Sequence, residues 1–122
     1  MRSGIAMMWV VLSLFGAAGA AAAAEFFERL DDVPVMPALE PVDTAGIEFD
    51  APSGRIVEAY AVGAVDRTSV LGFYRETLPQ LGWRAGAGNA FLREDETLRI
   101  DFFGPDGELT VRFTVSPAAP AN

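Results

Sequence analysis

The chain contains no cysteine, no histidine and no lysine among its 122 residues. Without thiols, imidazoles and amines it has no cysteine or Schiff-base nucleophile, no His-assisted serine, and no His- or Cys-ligated zinc, copper, haem or iron–sulfur centre. Disulfides are excluded as well, and so is a lipid-modified cysteine. The chemistry that remains is that of carboxylates, hydroxyls and hard-cation binding, and no cofactor is expected.

Positive charge is also scarce. Nine arginines face 17 acids, for a formal net charge of −8. The imbalance is local: residues 25–50 hold eight acids against Arg29, a net −7, whereas residues 51–122 hold nine acids against seven arginines, a net −2. Nucleic acid and anionic membrane surfaces both require a basic footprint, so neither is an expected partner.

Residues 1–24 carry one charged side chain, Arg2, followed by an uncharged apolar run from Gly4 that ends in five alanines before Glu25. A short basic start, an apolar centre and small residues at the end describe a secretory signal peptide, with cleavage expected after Ala24. The expected location is periplasmic or secreted. The alternative is an inner-membrane anchor over residues 4–24, which is disfavoured because alanine and glycine insert weakly.

The mature chain, residues 25–122, has the length of one small domain. Its clearest element follows Asp66. Val70, Phe73, Tyr74, Thr77, Leu78 and Leu81 recur at helical spacing and lay one apolar stripe along an amphipathic helix. Asp66 fits the N-cap, accepting from the backbone of Thr68 or Ser69, with Val65 and Val70 placed for a hydrophobic staple. Gly82 fits the left-handed residue after the helix, which brings Trp83 against Leu78. Pro79 has no N–H for the carbonyl of Arg75, so a kink or an early end at Leu78 is expected.

Before the helix, Ile47–Asp50 and Arg55–Gly63 read as two strands joined by a turn, the second apolar on both faces as if covered on two sides. After it come strands near Asn89–Arg93, Thr97–Phe103 and Leu109–Ser116, separated by turns at 94–96 and 104–107. Leu109, Val111, Phe113 and Val115 alternate with Thr110, Arg112, Thr114 and Ser116, which marks a strand buried on one side only. The expected fold is α+β: a mainly antiparallel sheet of four to five strands, in the order β-β-α-β-β-β, with one helix packed on one face.

The expected organisation is a signal peptide (1–24), an acidic proline-rich segment (25–45), the α+β domain (46–116) and a frayed tail (117–122). The acidic segment has two readings. Three prolines within Val33–Pro41 prevent a continuous helix, yet Phe26, Phe27, Leu30, Val35, Met36 and Leu39 are too apolar for a solvated linker. It either packs on the domain or forms a partner-binding arm through Val35, Met36 and Leu39. Partial packing is favoured, with 35–39 docked and the Glu25 end mobile.

The stretch Val70-Leu-Gly-Phe-Tyr-Arg-Glu-Thr-Leu-Pro-Gln-Leu-Gly-Trp83, with the strands around it, resembles a class of small exported bacterial domains whose helix carries Phe-Tyr, then Leu, then Gly-Trp. The likeness covers residues 54–116. It implies fold and compartment but no activity, and Asp66, Phe73, Tyr74, Leu78, Gly82 and Trp83 match as core and cap residues.

No catalytic or metal constellation emerges. Glu94-Asp95-Glu96 lacks the alternating spacing and glycine of a calcium loop, Asp31-Asp32 reads as a solvated acidic step, and Gly86-Ala87-Gly88 reads as a bend rather than a phosphate cradle. Glu58 and Asp101 are expected on sheet faces, paired across strands with Arg99, Arg112 or Arg55. The expected function is a non-catalytic interaction module with a protein partner or a second copy. The alternative is a carrier holding a small apolar ligand between Phe73, Tyr74 and Trp83 on the helix side and Phe91, Phe102 and Phe113 on the sheet.

Overall fold

The computed structural model describes residues 25–118; the expected signal segment and the last four residues of the expected tail lie outside the described residues. The elements run β1 (Glu40–Pro41), β2 (Ile47–Ala51), β3 (Gly54–Gly63), α1 (Arg67–Thr77), β4 (Arg84–Ala85), β5 (Ala90–Arg93), β6 (Glu96–Phe103) and β7 (Leu109–Pro117). All pair antiparallel in one sheet of order β1-β3-β7-β6-β5-β4, with β2 also on β3. β7 takes one side of β3, so β1 and β2 lie end to end along the other side.

The architecture is α+β with one α-helix and an antiparallel sheet, but the sheet has seven strands rather than four to five, and the order is β-β-β-α-β-β-β-β. The additional strands, β1 and β4, are two residues each. Such strands are too short to show a period of two, and their ladder partners come from elsewhere in the chain. Pro117, expected in the tail, closes β7 opposite Glu96.

Local chemistry sets both ends of α1. The Asp66 carboxylate accepts from the Ser69 N–H at 2.8 Å, and that bond holds the Asp66 pKa below the ordinary carboxylate value. The α-helical hydrogen bonding stops at Thr77, and Pro79 lies in a 3-10 turn over Leu78–Leu81, which is the early end rather than a kink. Gly82 follows at φ 95°, with its N–H on Pro79 O at 3.2 Å and the Trp83 N–H on Leu78 O at 3.1 Å. This is a Schellman closure, and only glycine adopts that φ without strain.

The helix buries Val70, Tyr74 and Leu78 against Leu98, Ile100, Val111 and Phe113 of the sheet and against Trp83. Tyr74 meets Phe113 edge-on at a centroid distance of 5.2 Å. The helix alone does not cover the sheet, and residues 25–39 fill the rest. Phe27, Leu30, Val33, Val35 and Leu39 are all buried in the same core, and Phe27 packs on Phe113 at 4.8 Å.

The Glu25 end is therefore docked, contrary to the expected mobile end, because Phe27 and Leu30 belong to the core. Four polar contacts hold the segment in place. The Tyr74 hydroxyl donates to Pro34 O at 2.7 Å and accepts from the Met36 N–H at 3.1 Å, the Phe27 N–H reaches Val33 O, and Asp32 pairs with Arg93. Burial of Tyr74 raises its pKa, only partly offset by the Met36 hydrogen bond. At Gly63 the segment lies so close that a Cβ would stand 2.5 Å from Ala38 O. Residues 25–45 thus share one core with 46–116.

β3 is covered on one side only. Val57, Ala59 and Ala61 are buried, while Ile56, Glu58 and Tyr60 are half-buried and Val62 is exposed, which corrects the expectation of a strand covered on both faces. Its second face looks apolar in sequence, but in the sheet it borders the polar residues of β7.

Candidate functional site

The strands present their second face uncovered. Three rows cross it. Val62, Thr110 and Phe103 form one; Tyr60, Arg112 and Asp101 the next; Ile47, Glu58, Thr114 and Arg99 the third. Strand alternation puts these residues here because their neighbours, Ala61, Val111 and Phe113 among them, are committed to the core.

The central row is a polar network. Arg112 donates to Asp101 at 3.1 Å, and the Tyr60 hydroxyl donates to Glu58 at 3.1 Å. The Asp101 contact raises the Arg112 pKa, more than offsetting partial burial. The Arg112 guanidinium also lies over the Phe103 ring, 5.0 Å from its centroid. Arg99 is exposed beside this network. The expected pairing of Asp101 across strands is thus with Arg112, whereas Arg55 pairs with Glu48 at 3.3 Å.

Apolar groups frame the network. Ile47, Phe49, Val62 and Phe103 are 47, 49, 38 and 44% exposed. Ile47 and Phe49 come from β2, where they alternate with Glu48 and Asp50. A row of large exposed apolar side chains on an edge strand is the kind of surface that natural sheets ordinarily blunt.

The residues singled out in the sequence fall elsewhere. Asp66 caps α1; Tyr74, Leu78 and Trp83 are buried in the core; Phe73 is half-buried beside Tyr74; Gly82 closes the helix. Val35 and Leu39 are buried and Met36 packs against the core, so all three serve the chain's own interior. Glu94 and Asp95 form the β5–β6 turn, and Glu96 faces Arg93 at 3.3 Å. Asp32, read as a solvated step, instead pairs with Arg93. Burial disfavours the charged form of Arg93, and Asp32 and Glu96 more than offset that, so its pKa is raised. The Arg93 guanidinium also covers the Trp83 ring at 4.3 Å.

Ile47 and Phe49 were not singled out in the sequence as site residues. Their signal is the alternation Ile-Glu-Phe-Asp, which reads equally well as a strand with its apolar side buried. Chemically the face suits recognition. Its acids are engaged, Asp101 with Arg112 and Glu58 with the Tyr60 hydroxyl.

No known protein family matches the chain, and no characterised protein or solved structure does either, so the reading rests on this geometry.

Proposed function

We propose that the chain is an exported, non-catalytic interaction module that binds a protein through the uncovered face of its sheet. One observation carries this reading: β3, β6 and β7 bury alternate residues on one face, while Val62 and Phe103 on the other, with Ile47 and Phe49 of β2, stay exposed around a hydrogen-bonded polar network. An aromatic and apolar frame around arginine and tyrosine is the composition that protein interfaces favour. The carrier reading finds less support, because Tyr74, Trp83, Phe91 and Phe113 are each no more than 2% exposed and pack into one core.

Export rests on the sequence of residues 1–24 and on the resemblance of the helix and its Gly-Trp exit to small exported bacterial domains. No helix among the described residues is long and apolar enough to cross a membrane.

The test places a photocrosslinking side chain at Phe103 or at Arg75, which lies on the exposed side of α1. A discrete adduct from position 103 and none from position 75 supports the reading, and adducts from neither position refute it. N-terminal sequencing of the chain from a periplasmic extract is expected to begin at or near Glu25. Recovery of the full-length chain from the membrane fraction would replace export with anchoring.

A further inference from the structure

We infer that the outer edge of β2 is a strand-addition site for an extended protein segment in which apolar and basic side chains alternate. The inference rests on the interaction-module reading and says where on the module, and with what chemistry, the partner is held. It starts from the backbone. β2 pairs with β3 along one side only, over Ile47–Ala51, and among the described residues no backbone hydrogen bond reaches its other side. An antiparallel ladder uses alternate N–H and C=O groups on each side of a strand, so the outer set of β2 faces solvent.

The sheet treats its edges differently. On the far side, β4 is two residues long and runs straight into the Gly86 bend; on the near side, β1 is two residues long and ends in Pro41. Shortness and proline are both ways of refusing a new strand. β2 has five residues, no proline and no positive charge, and so keeps an open ladder.

Its side chains specify the occupant. Ile47 and Phe49 project on the uncovered face, in register with Glu58 and Ile56, and Glu48 and Asp50 project on the opposite side. An added strand would lay apolar side chains beside Ile47 and Phe49, and its alternate residues beside Glu48 and Asp50. Asp43, exposed in the turn before β2, extends the negative charge; Glu48 also reaches Arg55 at 3.3 Å, while Asp50 and Asp43 have no ion-pair partner among the described residues.

The same charges argue against a second copy. A two-fold antiparallel pairing of β2 with itself keeps each face with its own kind, so acids meet acids: centred on Phe49, it sets Glu48 opposite Asp50. Like charges directly opposite across a ladder are destabilising. A basic, apolar-alternating segment satisfies both faces at once.

The experiment uses residues 25–122 and a capped seven-residue peptide alternating valine and arginine, with an otherwise identical valine–glutamate peptide as control. The arginine peptide is expected to bind, to lose affinity as salt rises, and to shift backbone amide resonances chiefly within Ile47–Ala51. Glu48→Arg with Asp50→Arg is expected to weaken it about a hundredfold or more, about tenfold for each reversed charge. Methylating one alternate set of the peptide's amides should abolish binding, while methylating the other set should spare it, as a one-sided ladder requires.

Equal binding of both peptides, equal tolerance of both methylation patterns, or shifts centred on Arg112 and Asp101 would overturn the inference. So would a stable dimer of the free chain that Phe49→Pro dissolves. A Phe103 adduct combined with any of these leaves the module reading standing and removes only the edge. Absence of both the adduct and the peptide removes both.

Discussion

The two faces of this sheet are built from the same strands, and often from adjacent residues, yet they are held by different physics. On the covered face, Val57, Val111, Phe113 and Leu98 are sealed by a helix and by a chain segment that comes before the first strand. On the other face, Tyr60, Arg112 and Asp101 are held by hydrogen bonds and an ion pair, with Ile47, Phe49 and Phe103 left in contact with solvent. Burial is a stability device that needs every neighbour in place. A half-exposed polar network contributes little stability, because solvent screens its charges, but it leaves side chains where another molecule can reach them.

The contrast places the largest expected effect in the covering segment. Deleting residues 25–39 removes Phe27, Leu30, Val33, Val35 and Leu39 from the core. At about 1.5–3 kcal/mol for each large apolar side chain, the loss matches or exceeds the roughly 5–15 kcal/mol of a typical domain. The shortened chain is expected to lose its cooperative melting transition in circular dichroism. An unchanged melting curve would break the comparison, since the segment would then be an accessory.

A smaller effect is expected from Tyr74→Phe. The ring stays, but Pro34 O and the Met36 N–H lose their partner, at a cost of about 1–3 kcal/mol in chemical denaturation. The same residue predicts a pH dependence. Because burial raises its folded pKa, Tyr74 keeps its proton in the folded state at a pH where the unfolded chain has lost it. Its contribution is therefore complete below the ordinary tyrosine pKa of about 10 and declines as pH rises beyond it. A stability profile from neutral to alkaline pH should show this decline in the native chain, and a weaker one in Tyr74→Phe.

Gly82→Ala should cost about 1 kcal/mol, because it sets a Cβ at a left-handed residue. The new Cβ would also stand 3.3 Å from the Arg93 side chain. The denaturation midpoint measures the effect, and no change would mean that the helix exit tolerates another closure.

The smallest expected effect sharpens the contrast from the other side. Phe49→Ser removes a large aromatic from the uncovered face, yet stability should stay within about 0.5 kcal/mol, as for an exposed position without buried partners. A substantial loss of stability there would mean that the uncovered face contributes to the fold after all.

The limits of legibility follow the distance between partners along the chain. The N-cap at Asp66, the glycine closure at Gly82 and the one-sided alternation of β7 are set by residues within a few positions of one another, and the sequence shows them directly. β1 and β4 have no such local signature, and Asp32 looks solvated until Arg93, 61 residues away, is brought beside it. The uncovered face is half legible: the Asp101 pairing follows from strand alternation, but the exposure of Ile47 and Phe49 follows from β2 lying at the sheet edge with both its sides exposed, which distant parts of the chain decide.

By itself, then, the sequence determined what short-range physics can encode: one capped amphipathic helix, antiparallel strands with a strong period of two, an acidic stretch over residues 25–50 and an inventory without thiol, imidazole or amine side chain. The tertiary structure alone decided that the acidic segment joins the core from Phe27 onward, beyond the docking expected for 35–39, and which strands it packs on. The reason is geometric, because a strand's apolar alternation marks the face to be buried without saying which distant part of the chain will cover it.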